Sequence, residues 1–166
     1  TILSRLYNRY EKVAVIERDR TGGTCVNYGC TPSKALIASA RAAHMVRRSG
    51  DFGVHTGNPK VDFSAVLKRV NGIREDARTG MKSWIKKHTD YYPNSASFID
   101  NKTLQVGSDR ISGDTILIHT GTSPRVPEIP GLDEVQWIDN TGVFELEEVP
   151  KHLLVLGGGY IGVEFS

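Results

Sequence analysis

At 166 residues, 39% hydrophobic and 24% charged, the chain is long enough to bury one real core and is balanced like an ordinary globular domain. No apolar run reaches the length of a membrane span, Thr1–Tyr10 lacks the apolar stretch of a signal peptide, and two cysteines are too few for a secreted disulfide scaffold, so a cytoplasmic protein is expected. The net charge of +2 divides unevenly, with 17 Lys/Arg against 8 Asp/Glu in residues 1–90 and 4 against 11 in residues 91–166. Most of this reads as solvated helix faces; the basic half suits a phosphate-bearing cofactor, and no aromatic-interleaved stripe points to nucleic acid.

In chain order, Ile2, Leu3, Leu6 and Tyr10 have helical spacing, and Val13–Ile16 reads as a short buried parallel strand ended by Glu17. A Gly/Cys loop follows over Gly22–Thr31. Pro32 suits the first turn of a helix over Ser33–Ser49, with Thr31 as cap and Gly50 as stop. A second helix is expected over Phe63–Lys87, capped by Asp62. Its apolar stripe is Phe63, Val66, Leu67, Val70, Ile73, Ala77, Met81, Trp84 and Ile85. Short strands then read over Ala96–Ile99, Thr103–Val106 and Thr115–His119, separated by turn signals. Thr122–Gly131 holds three prolines and reads as an extended crossing. Leu153–Leu156 reads as another buried strand, running into Gly157-Gly-Gly-Tyr-Ile-Gly162 and a helix start.

The chemistry centres on Gly22-Gly-Thr-Cys-Val-Asn-Tyr-Gly-Cys-Thr-Pro-Ser-Lys34. As a structural staple a disulfide across so short a loop is inefficient, removing about 2 kcal/mol of chain entropy against about 5 for a hundred-residue loop. As a redox couple the spacing makes sense, because the bond forms and breaks without moving the fold. Spacing alone leaves two free buried cysteines equally open; the glycines, Pro32 and Lys34 favour the couple. Cys30 precedes the expected helix start, where free N–H groups and the dipole favour a thiolate, and Lys34 adds charge one turn on. Cys30 is therefore read as the stabilised thiolate and Cys25 as the exchanging thiol. No metal site is expected, since zinc needs more ligands than two cysteines without neighbouring histidines.

This Gly-Gly-Thr-Cys-x4-Cys-x-Pro-Ser-Lys stretch resembles the active-site segment of the FAD-dependent pyridine nucleotide–disulfide oxidoreductases, the class that includes mercuric reductase, dihydrolipoamide dehydrogenase and glutathione reductase. The resemblance implies that Cys30 faces the flavin, that Cys25 meets substrate, that Lys34 lies near flavin N5, and that Gly23 and Thr24 line FAD. It makes Glu17, ending its strand five residues before Gly22, the ligand of the adenosine ribose. The Gly-x-Gly-x-x-Gly turn of that unit is expected ahead of Thr1, because residues 1–20 contain no glycine.

Ile116–Pro124 resembles a second family stretch, an Ala/Gly-Thr-Gly segment that touches FAD. Gly121 is the expected contact, and His119 stands where a small residue is usual. Gly157-x-Gly159-x-x-Gly162 sits between an expected strand and an expected helix, the context of a dinucleotide fingerprint. The resemblance makes it the first turn of an NAD or NADP domain, with Tyr160 over the flavin and Glu164 reaching back to Lys34.

The expected fold is thus α/β: an FAD-binding Rossmann-like domain with a helical pair and a small antiparallel β insertion, truncated at both ends. Residues 1–150 belong to the FAD domain, and residues 151–166 open the nicotinamide domain. The implied enzyme is a homodimer without nucleic-acid or membrane partners. It passes electrons from NAD(P)H through FAD to the dithiol and on to a small-molecule, disulfide or metal-ion acceptor. Catalytic roles fall to Cys25, Cys30, Lys34 and Glu164; cofactor roles fall to Glu17, Gly23, Thr24, Lys34, Gly121, Gly157, Gly159, Tyr160 and Gly162. None of His44, His55, His88, His119 and His152 sits in the family's His–Glu acid/base motif, so the 166 residues alone are not expected to turn over. Thr31 and the wording of Gly158–Glu164 look nearer the mercuric-reductase branch, although mercury handling would need further cysteine pairs. The alternative is a noncatalytic piece, or a thiol- or metal-binding module without flavin.

Overall fold

The computed structural model describes residues 2–166. Its elements are α1 (Ile2–Tyr7), β1 (Ala14–Ile16), α2 (Gly23–Tyr28), α3 (Cys30–Arg48), α4 (Phe63–His88), β2 (Asp90–Tyr92), β3 (Ala96–Phe98), β4 (Thr103–Val106), β5 (Asp109–Ser112) and α5 (Tyr160–Phe165). Short 3₁₀ turns cover Ser49–Phe52, Leu132–Glu134 and Gly142–Glu145. This is a mixed α/β fold with a small antiparallel sheet. Two compact units share it: Thr1–Gly23 with Ala77–Thr122, and Thr24–Asp76 with Ser123–Ser166. Among the described residues no helix is long and apolar enough to cross a membrane.

In the first unit β1 pairs in parallel with β2, Ala14 opposite Asp90 and Ile16 opposite Tyr92. Val15 and Ile16 are half-buried and Ala14 is exposed, rather than the buried strand the sequence predicts. A sheet of two strands offers too little cover for both faces. The C-terminal turn of α4 packs Trp84 and His88 against Tyr7, with ring centroids 5.8 and 5.1 Å apart. β3, β4 and β5 form an antiparallel meander. Gly107, at φ 59°, takes the first central position of the two-residue turn between β4 and β5, where a type II′ hairpin calls for glycine. With β3 and β5 on its two edges, β4 has no edge left. The expected strand over Thr115–His119 does not form, and Leu117 and Ile118 are exposed.

In the second unit Ala35, Val70 and Phe144 form the core, flanked by Leu36, Val66 and Phe165. The Asp62 carboxylate caps α4 by accepting the Ala65 N–H at 3.0 Å. Arg69 ties α4 to α3, donating to the Ala35 carbonyl and, at 2.8 Å, to the Ser39 hydroxyl. The stripe of α4 departs from expectation at one place: Ile73 is 38% exposed, and neighbouring Arg74 is buried at 3%. α3 starts at Cys30 with Gly29 before it, so Thr31 lies inside the helix and caps nothing. It ends at Arg48, one residue before the expected Ser49. Gly50 sits within the following 3₁₀ turn, and Gly53, left-handed at φ 74°, caps that turn. Leu153–Leu156 forms no strand: none of the described strands pairs with it, and Leu154 is 84% exposed.

Candidate active site

The segment read as a loop before Cys30 is a helix. α2 carries Thr24 and Cys25, and the chain bends at Gly29 directly into α3. That bend favours glycine. A Cβ at position 29 would lie 3.1 Å from the Thr24 carbonyl oxygen and 3.2 Å from the Cys25 Cα, both backbone atoms with little room to move. The end of α2 is tied by Asn140, whose Nδ2 donates to the Tyr28 carbonyl at 3.2 Å. In sequence Gly29 reads only as a spacer and Asn140 carries no signal, because their roles arise from the bend between two helices and from a contact across 112 residues.

Cys25 and Cys30 are free thiols, and both are exposed, which removes the reading of two buried cysteines. The Cys25 thiol is held above its ordinary pKa, first by its hydrogen bond with the Cys30 side chain, then by burial and by charge on Cys30.

Lys34, one turn along α3, forms an ion pair with Glu164 of α5. The same carboxylate oxygen accepts a 2.7 Å hydrogen bond from the Ser33 hydroxyl. Ser33 is only 2% exposed. Glu164 is held below its ordinary pKa, first by the bond from Lys34 and next by the bond from Ser33. Ser33 lies inside the motif, yet its sequence context gives it no role; only the return of α5 reveals one.

Gly157 has φ 103°, and a Cβ on Gly162 would be driven into the Gly157 carbonyl oxygen. The first and last glycines of the fingerprint are thus required by a left-handed turn and a close backbone approach. Gly159 occupies the cap position of α5, its carbonyl accepting the Val163 N–H at 3.0 Å. Tyr160 is 84% exposed.

These parts meet in a cavity of about 800 Å³, lined by Thr24, Cys25, Cys30, Lys34, Tyr160 and Glu164 among others. That volume falls within the ~300–1,000 Å³ of small-molecule and cofactor sites. It places two thiols, an ammonium and an aromatic ring around one space.

The remaining expected residues belong to the first unit. Glu17 ends β1; its N–H bonds to the Tyr92 carbonyl at 3.0 Å and its carboxylate accepts the Asp19 N–H at 2.9 Å. Burial first, and the Glu17 charge second, push the Tyr91 phenol up. Gly23 and Gly121 are both left-handed, at φ 61° and 74°, with open space where a Cβ would be.

Known proteins carry the same framework. A mercuric reductase of Bacillus cereus is 38% identical over 159 residues, covering 93% of this chain and 25% of its own length. A dihydrolipoyl dehydrogenase of Chlamydia pneumoniae is 36% identical over 160 residues, covering 93% and 34%. The solved structure of the HOCl-induced flavoprotein disulfide reductase RclA from Escherichia coli superposes with a TM-score of 0.79 at 34% identity, over 97% of this chain and 34% of that one. The chain therefore spans about a quarter to a third of these relatives. The family model of pyridine nucleotide-disulphide oxidoreductases matches residues 3–166, and the chain belongs to that family.

Proposed function

We propose that this chain serves an FAD-dependent oxidoreductase that takes electrons from NADH or NADPH and passes them through the Cys25–Cys30 dithiol to a disulfide or metal-ion acceptor. The observation that carries this reading is the cavity in which Cys25, Cys30, Lys34, Tyr160 and Glu164 meet. Its size and its lining fit a flavin ring system. Thr24, Lys34 and Tyr160 would hold FAD there, with Glu17, Gly23 and Gly121 assigned to FAD on family resemblance and Gly157, Gly159 and Gly162 to the nicotinamide nucleotide. Bound FAD supplies the two-electron relay between nicotinamide and dithiol.

The chain's own residues account for the exchange half of the reaction. Cys25, once deprotonated, attacks one sulfur of an acceptor disulfide and releases the other as a thiol. Cys30 then attacks Cys25 in the mixed disulfide. The Cys25–Cys30 bond closes and the second thiol leaves, so two electrons reach the acceptor and two protons end on its thiols. Lys34, tied by Glu164, keeps a positive charge beside this exchange.

The proposal extends to a cytoplasmic homodimer in which residues 1–150 contribute to the FAD domain and residues 151–166 open the nicotinamide domain. Among the described residues no three of His, Cys, Asp or Glu gather as a metal site.

The test is made on the intact protein. Purification should give a yellow protein with extractable FAD. Reduction by NADH or NADPH should produce a long-wavelength band that is lost in Cys30→Ser. A colourless preparation without FAD would sink the proposal.

A further inference from the structure

Arg74 is a cation at a position of α4 where burial is otherwise reserved for apolar side chains. Its guanidinium carbon lies 5.5 Å from the centroid of the Tyr28 ring and 5.4 Å from that of Phe144. Nη1 donates to the Asn71 side-chain oxygen at 2.7 Å. Taking a guanidinium out of water is costly, and two ring faces and a hydrogen bond offset that cost. An apolar side chain would fill the same space without the cost. What a planar cation adds is direction, because a ring stacked on a guanidinium has a preferred orientation that apolar packing does not impose.

The ring so oriented belongs to Tyr28, which lies three residues after Cys25 and two before Cys30 and borders the thiol cavity. Phe144, the second ring under the guanidinium, is seated in the core and edge-on to Phe165. Tyr28 is thus held twice, at its carbonyl by Asn140 and at its ring by Arg74. Both holds act on the end of α2, the short helix that carries Cys25.

We propose that Arg74 is a positioning residue for the dithiol: by clamping Tyr28 it keeps Cys25 within bonding reach of Cys30, and so sets the equilibrium between dithiol and disulfide. The inference rests on reading Cys25 and Cys30 as a redox couple. The equilibrium is measurable without a nicotinamide. The dithiol and one glutathione disulfide give the protein disulfide and two glutathione thiols, with two electrons and two protons passing to glutathione.

The intact protein is equilibrated in glutathione buffers of graded ratio, quenched by alkylation and scored for the Cys25–Cys30 bond by mass. Arg74→Met, which keeps volume and loses the charge, should lower the equilibrium constant about tenfold while cooperative melting persists. Arg74→Lys, which keeps the charge and loses the planar fork, should lower it about threefold, and this variant decides the matter if the methionine protein does not fold. In a Tyr28→Leu background either substitution should change the constant by less than about twofold, because the clamp has already lost its object. A wild-type constant in Arg74→Met, or in Arg74→Lys should the methionine protein not fold, or an undiminished effect without the Tyr28 ring, overturns the proposal. If the unsubstituted protein forms no Cys25–Cys30 bond in any buffer, the redox reading itself has failed and the proposal falls with it. A normal disulfide that is indifferent to Arg74 sinks only the role of Arg74.

Discussion

Two glycine-containing segments of one unit, Thr24–Lys34 and Leu153–Gly162, carry most of the residues assigned to chemistry, and they are built in opposite ways. The thiol segment is braced on several sides. Asn140 and Arg74 hold the end of α2, Pro32, Ser33 and Ala35 bury one face of α3, and Arg69 fastens that helix to α4. The fingerprint segment has apolar side chains but few neighbours: Leu153, Leu154, Leu156 and Tyr160 are all exposed. Two sulfurs that must make and break a bond of about 2 Å need a rigid frame. A turn that receives a dinucleotide presents backbone N–H groups.

The largest effect should come from removing the wall behind the thiol segment. Phe144→Ala empties the centre of the core and takes away one face of the Arg74 stack. It should cost about 3–5 kcal/mol in a urea titration. A loss below about 1 kcal/mol, the range of ordinary surface changes, would mean that the thiol segment is not braced from this side. Next in size is Gly29→Ala. The added methyl would press on two backbone atoms of α2, and about 1–3 kcal/mol of destabilisation is expected. The same variant should weaken Cys25–Cys30 disulfide formation in glutathione buffers, because the methyl presses on the Cys25 backbone itself.

The contrast between the segments also explains what could be read in the sequence. Asp62 as a cap, α4 as a long helix and the β3–β4 pairing were legible because each depends on neighbours in sequence. The thiol pair and its partners Lys34 and Glu164 were legible through family resemblance. What escaped depends on distant partners. β2, three residues long, becomes a strand only because β1 lies beside it, and β5 forms over Asp109–Ser112, where no strand was expected, by pairing with β4. Arg74 escaped because a charged residue next to Ile73 reads as the solvent side of the stripe, whereas two aromatic rings 46 and 70 residues away make it the buried one. Ser33 escaped because its acceptor lies 131 residues on.

Ser33→Ala is the third step down in size. Loss of one hydrogen bond to a carboxylate should cost about 1–2 kcal/mol at pH 7. Its pH dependence separates it from a packing defect. Glu164 has its folded pKa lowered, so its contribution is present above the ordinary carboxylate value of 4.5 and is lost as pH falls through the folded value. Removing Ser33 takes away the second cause and leaves the first, Lys34. The Glu164 carboxyl should therefore titrate higher in the variant, which a carbon-13 carboxyl titration reads directly. The stability gap between the two proteins should close as pH falls below the wild-type value. A gap that is flat with pH would reduce Ser33 to a packing residue.

The smallest stability effect belongs to the open segment. Tyr160→Ala removes a ring that is 84% exposed, so the unfolding free energy from a urea titration should change by no more than about 0.5 kcal/mol. Under the proposed function the same change should nonetheless alter reduction by NADH or NADPH, because Tyr160 is assigned to the face where nicotinamide docks. The expected result is a raised KM for the nicotinamide with the dithiol equilibrium untouched, the reverse of what Gly29→Ala and Arg74→Met should do. An unchanged KM would leave Tyr160 as an exposed ring without that role. A large stability loss would mean that Leu153–Gly162 is packed in the intact protein, and that the openness separating it from the thiol segment is not a property of the working enzyme.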